Sequence, residues 1–230
     1  VLADYYNVQV GNKNFAADYT NNKAKYAYVP AALAGFSHLE EVAKAGLYNK
    51  DAATAKFTDG VARVSSGECA MYPMLTFATP GIPAANLQDV GFFAQPGNDA
   101  KNVGLTTWMP SGMYVAKNSK KQAAALKFQA FVASKAGTDA FVVGGGYTGP
   151  FVTKDQSAAP AGVPRATKDL SALIKGKSAP ALEFISPIKG PNLAGITVQV
   201  ATGQVTAKAG AALYDQDVVA QAQQLGLKGW

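Results

Sequence analysis

A chain of 230 residues, 48% apolar and only 16% charged, can bury a sizeable core without a metal or disulfide staple. Its formal charge of +6 rests on scattered lysines, with Arg63 and Arg165 as the arginines, so the clustered guanidinium groups of a nucleic-acid surface are lacking and no nucleic-acid partner is expected. One cysteine, Cys69, excludes an internal disulfide, and one histidine beside it excludes a zinc cluster, whereas carboxylate calcium sites stay open.

No apolar run is long enough to span a membrane. The chain opens on Val1 rather than Met, in a segment dense with Tyr and Asn. It reads as a processed, cleaved or truncated product, with any exporting signal upstream.

In chain order, a short helix is expected over residues 2–8, followed by irregular chain. Pro30 then suits a first helical turn, with Leu33, Phe36, Leu39 and Val42 as an apolar stripe and Gly46 as the stop. A second helix is expected over residues 52–65, ended by Gly67. Residues 69–72, 90–94 and 113–117 read as short strands, separated by loops rich in Pro and Gly. The loop holding Trp108, Pro110, Ser111 and Gly112 is long enough to carry function.

Ser119 with Gln122 has the spacing of a capping box, and Ala124, Phe128, Phe131 and Val132 then share one helical face suited to packing on a sheet. Gly137 ends this helix, and a second short helical piece over residues 140–143 stops at the run Gly144, Gly145, Gly146. After a loop through residue 167, helices are expected over 169–175 and 193–201. A last one, capped by Asp215, carries Val218, Ala222 and Leu225 and stops at Gly226. Helices alternating with four or so strands are the pattern of α/β folds. The excess of helix over strand suggests that strands are missing.

Catalytic patterns are weak. Ser111 lacks the flanking glycines of a nucleophile elbow, and His38 is far from it in sequence. Cys69, in an apolar run, reads as a buried small hydrophobe rather than a reactive thiol. The adjacent acids Glu40 and Glu41, like Asp215 and Asp217, suit solvation or helix capping, not the separation that glycoside hydrolysis needs. The positive signal is aromatic: Phe77, Trp108, Tyr147 and Phe151 stand beside turn residues, where rings with amides and hydroxyls suit a neutral, partly apolar ligand such as a sugar. No cofactor and no enzymatic activity are expected.

Four stretches carry a resemblance. They are Gly67-Glu68-Cys69-Ala70-Met71 behind a helix, the run from Val90 to Gly97, the run from Pro110 to Lys120 with its capped helix, and the ending Gln224-Leu225-Gly226-Leu227-Lys228-Gly229-Trp230. In this order they resemble the carbohydrate-binding family 1 solute-binding proteins of bacterial ABC importers, which are maltose-binding-protein-like, and specifically their C-terminal portion.

The resemblance implies an α/β fold of the periplasmic-binding-protein-like type II class. Two lobes would close on a hinged cleft, with most of the N-terminal lobe missing. Residues 1–95 would be the latter part of the C-terminal lobe, 96–165 the crossover and returning part of the N-terminal lobe, and 166–230 the helical segment completing the C-terminal lobe. It further implies sugar as ligand and ABC permease membrane subunits as partners, together with an N-terminal segment or complementary chain. The place is extracytoplasmic, in the periplasm or at the outer face of the membrane as a lipoprotein. The implied ligand-binding residues are Thr76, Phe77, Trp108, Ser111, Gly112 and Asn192. The alternatives are a carbohydrate-active enzyme and a surface carbohydrate-binding protein without a transporter.

Overall fold

A computed structural model describes residues 5–97, 99–108, 113–149 and 161–230. The chain divides into two compact units. Unit 1 comprises Val1–Ala55, Ala94–Trp108 and Lys177–Trp230; unit 2 comprises Lys56–Phe93 and Met109–Gly176.

Unit 1 holds α1 (Tyr5–Gly11), α2 (Phe15–Thr20), α3 (Pro30–Lys44), α8 (Leu193–Ala201) and α9 (Ala207–Gln224). Pro30 starts α3 because the first turn has no use for its missing N–H, and Gly46, at φ 67°, turns the chain away after its end. The core is built on Phe15, Tyr19, Tyr26, Phe36, Tyr214 and Val218, all essentially without solvent contact. Helix α9 lies against both α3 and α8. Their close approach depends on Gly210, where a Cβ would collide with the Val200 side chain.

The sheet of unit 1 consists of β1 (Leu105–Thr107) and β2 (Ser178–Pro180), paired in parallel with Leu105 opposite Ser178 and Thr107 opposite Pro180. Helix α1 packs on both strands. Pro180 has no N–H to give, and the ladder ends with Ala181 N–H donating to the Thr107 carbonyl at 2.8 Å.

Unit 2 holds α4 (Phe57–Ser66), a 3₁₀ turn (Thr76–Gly81), a second short one (Ala84–Asn86), α5 (Gln122–Val132), α6 (Lys135–Gly145) and α7 (Arg165–Leu173). Gly67 closes α4 in the left-handed region at φ 78°, where a side chain would be strained. The 3₁₀ turn packs against α4 and α7, and α5 packs against α6.

The α/β expectation is therefore corrected. Among the described residues there is one two-stranded sheet, and the architecture is predominantly helical. A type II periplasmic-binding-protein lobe is built on a larger sheet than this, so neither the two-lobed fold with a hinged cleft nor the reading of a lobe lacking strands stands.

The physical reason lies in the three segments expected as strands. Residues 69–72, 90–94 and 113–117 join no ladder. The Phe92 N–H donates to the Asp169 carboxylate on α7 at 2.9 Å instead of to a neighbouring strand. Met71, Phe93 and Met113 turn outward. An apolar run favours extended backbone, but a strand exists only where a second backbone accepts its hydrogen bonds.

Helix α5 differs from expectation as well. Ser119 Oγ accepts from Lys121 N–H at 3.1 Å and Gln122 reaches back to the Lys117 carbonyl, so the helix starts at Gln122 without the reciprocal capping box. The face with Ala124, Phe128 and Phe131 is exposed rather than packed on a sheet.

Candidate functional site

The residues that sequence reasoning selected fall in both units. Thr76 and Phe77 open the 3₁₀ turn of unit 2, whose last residue, Gly81, lies close to α4, where an added Cβ would stand 3.2 Å from the Val61 side chain. There the Phe77 ring stacks on Phe57, the first residue of α4, with centroids 5.4 Å apart and planes 17° from parallel. Both rings remain more than two-fifths open to solvent, at 43% and 42%. Two aromatic residues that face each other while exposed are not accounted for by core packing, and they offer a flat apolar surface.

The position of Phe57 follows from its surroundings. Asp59 accepts the Lys56 N–H at 2.8 Å and fixes the entry into α4, and Tyr72 covers Gly60 one turn further on. Burial raises the Tyr72 phenol above its ordinary range. Sequence reasoning missed Phe57 because it lies 20 positions before Phe77 with no pattern linking them, and only the fold brings the rings together.

In unit 1, Trp108 follows β1 and is half-buried. Asn192 stands at the N-cap position of α8 without a side-chain capping bond, and its backbone N–H and side-chain nitrogen both donate to the Asp217 carboxylate, at 2.8 and 2.6 Å. That leaves the amide oxygen and the second N–H of the side-chain nitrogen to meet a ligand. Ser111, Gly112 and Phe151 lie outside the described residues, as does Pro110.

A cavity of about 270 Å³ lies between the end of α3 and the α8–α9 connection, lined by Glu40, Lys44, Val200, Gly203 and Thr206 among others. Its acidic group is already engaged. Glu40 pairs with Lys44 at 2.8 Å and accepts the Ala207 N–H at the start of α9 at 3.2 Å, and these two contacts hold its carboxyl below the usual range. For Glu40 this is a capping contact, made to the start of α9 rather than to its own helix.

Cys69 is half-buried rather than buried. Among the described residues no group of three or more His, Cys, Asp and Glu is placed to hold a metal ion, and no helix is long and apolar enough to cross a membrane.

The family model for bacterial extracellular solute-binding proteins matches residues 1–139, more than half of the chain. The chain belongs to that family. No curated protein matches it, and no solved structure does.

Membership in the solute-binding family corrects the resemblance read from the sequence. The description of the matched family names a solute and no carbohydrate, and the matched residues begin at 1 and stop at 139. Asn192 and the 224–230 ending draw no support from it. The identification as the C-terminal portion of a maltose-binding-protein-like importer subunit is overturned by the predominantly helical architecture, with its one two-stranded sheet among the described residues.

The sugar-transport reading falls with the fold. A sugar held in an interlobe cleft requires two sheet-based lobes, and the described residues supply helices and one two-stranded sheet. The expectations of a sugar ligand, of ABC permease subunits and of a completing segment or chain rested on that cleft and are withdrawn with it.

Proposed function

We propose that this member of the solute-binding family is a non-catalytic protein working outside the cytoplasm, and that it acts by reversible binding on the aromatic surface of unit 2. The observation that carries the reading is the stacked, solvent-open pair of Phe57 and Phe77. Exposed rings held parallel by a helix start and a 3₁₀ turn are a preformed platform, and a planar apolar group can extend the stack without any side chain having to move. Thr76, the neighbour of Phe77 in sequence, opens the same 3₁₀ turn. The extracytoplasmic placement draws on the family description, which is of extracellular proteins.

Indole, a planar apolar probe, tests the platform by NMR titration. Saturable shifts at the Phe57 and Phe77 rings are expected, with affinity at least tenfold weaker in Phe77→Ala at unchanged helical content. Shifts confined to other aromatic residues, or undiminished binding by Phe77→Ala, would overturn it. Placement is checked by fractionating cells that express the intact gene, where recovery of the protein in the cytosol alone counts against it.

A further inference from the structure

The segment 20–27, which runs from the last residue of α2 toward α3, crosses the aromatic core of unit 1 as turns and irregular chain. It is fastened to distant parts of the chain at four points, one of them the Thr20 hydroxyl, which donates to Ser186 Oγ at 2.9 Å. The Trp230 indole N–H donates to the Thr20 carbonyl at 3.1 Å, and the Asn22 side chain donates to the Gly229 carbonyl at 2.8 Å. At its far end the Asp215 carboxylate of α9 accepts the N–H groups of Tyr26 and Ala27 at 2.8 and 2.9 Å. Asn22 takes a left-handed conformation at φ 58°, which Asn tolerates better than most residues.

Between these fastenings lies Lys25. Its Nζ sits 4.4 Å from the centre of the Trp230 ring, is buried, and has no hydrogen-bond acceptor among the described residues. An ammonium carries three donors, and holding them away from water without acceptors is costly. The ring face and the nearby Asp215 charge offset that cost in part, whereas lifting the segment would rehydrate the ammonium fully. Tyr26 belongs to the same segment, and its ring makes edge contacts with Phe15, Tyr19 and Tyr214 at 5.3, 5.8 and 5.2 Å.

We infer that residues 20–27 form a strap that opens as a unit, drawing the Tyr26 ring out of the core and leaving a ring-sized apolar socket lined by Phe15, Tyr19, Phe36 and Tyr214. Lys25 drives the opening; Asp215 and Trp230 close it. The remainder of unit 1 keeps its helices, because α3, α8 and α9 pack on one another independently of the strap. The socket is a minor state of the protein, the kind of opening that an aromatic ligand selects.

Amide hydrogen exchange on the full chain tests this. The Tyr26 and Ala27 amides are expected to exchange at least tenfold faster than the Val218 amide inside α9, and Lys25→Met is expected to slow them at least threefold relative to Val218. A second readout uses a Trp108→Phe background, in which Trp230 is the sole indole: its emission is expected to shift red at urea concentrations below those that melt the helices. Exchange of Tyr26 and Ala27 in step with Val218, an unaltered ratio in Lys25→Met, or a Trp230 shift coincident with helix loss would each overturn the strap.

Discussion

Asp215 is a carboxylate only 7% exposed and set in the interior of α9, and its charge is balanced between opposing effects. Burial pushes its pKa above the ordinary value of 3.8, while the Ala27 and Tyr26 N–H groups and then the Lys25 charge pull it down, and burial prevails. A carboxyl whose folded pKa is raised binds a proton more tightly folded than unfolded. Its contribution to stability is therefore complete below 3.8 and is lost as pH rises through the raised folded value. In urea denaturation across that window, wild type should gain on Asp215→Asn as pH falls, and the gap between the two should shrink as pH rises. A gap that widened with pH would mean that the two N–H donors outweigh burial. The sequence showed Asp215 only as a helix-start acid, because nothing local reveals that the chain at Tyr26 returns to meet it.

At the scale of elements, what was legible depended on whether the signal was local. Helix α3 was readable from Pro30, its apolar stripe and Gly46, and α8 from residues 193–201, since caps, breakers and periodicity act within a few positions. Helix α9 begins eight residues before the expected cap. Its N-cap is Thr206, whose hydroxyl accepts the Ala209 N–H at 3.2 Å, with Glu40 accepting from Ala207 beside it. Thr206→Ala should destabilise the protein by about 1 kcal/mol, read as a lower urea midpoint at unchanged slope. An unchanged midpoint would assign the start of α9 to Glu40 alone. The strands were not legible for the opposite reason. β1 and β2 are three residues each and stand 73 positions apart from Leu105 to Ser178, so no local pattern announces their pairing. The site was legible in half: Phe77 stood out as a ring beside a turn, and its partner Phe57 did not.

Across the whole molecule the apolar side chains are divided unevenly. Unit 1 closes around Phe15, Tyr19, Phe36 and Tyr214, whereas in unit 2 Leu126, Phe128, Phe131 and Phe141 on α5 and α6 stay open to solvent. The sequence placed the Phe128 and Phe131 face against a sheet, because periodicity says which residues share a face but not whether anything covers it. The two arrangements differ sharply in energy. Truncating a buried Phe to Ala costs about 3–5 kcal/mol, whereas a surface substitution usually costs under ~0.5 kcal/mol. Phe128 and Phe131 are 56% and 49% exposed, so Phe128→Ala and Phe131→Ala should each cost under about 1 kcal/mol, the more so because Ala favours helix. Phe36→Ala, in the core of unit 1, should cost about 3 kcal/mol or more. Urea denaturation at several protein concentrations decides the matter. A large loss at Phe128 or Phe131 that grows with protein concentration would show the face covered by a second copy. The same loss independent of concentration would mean that the face is buried within the chain itself.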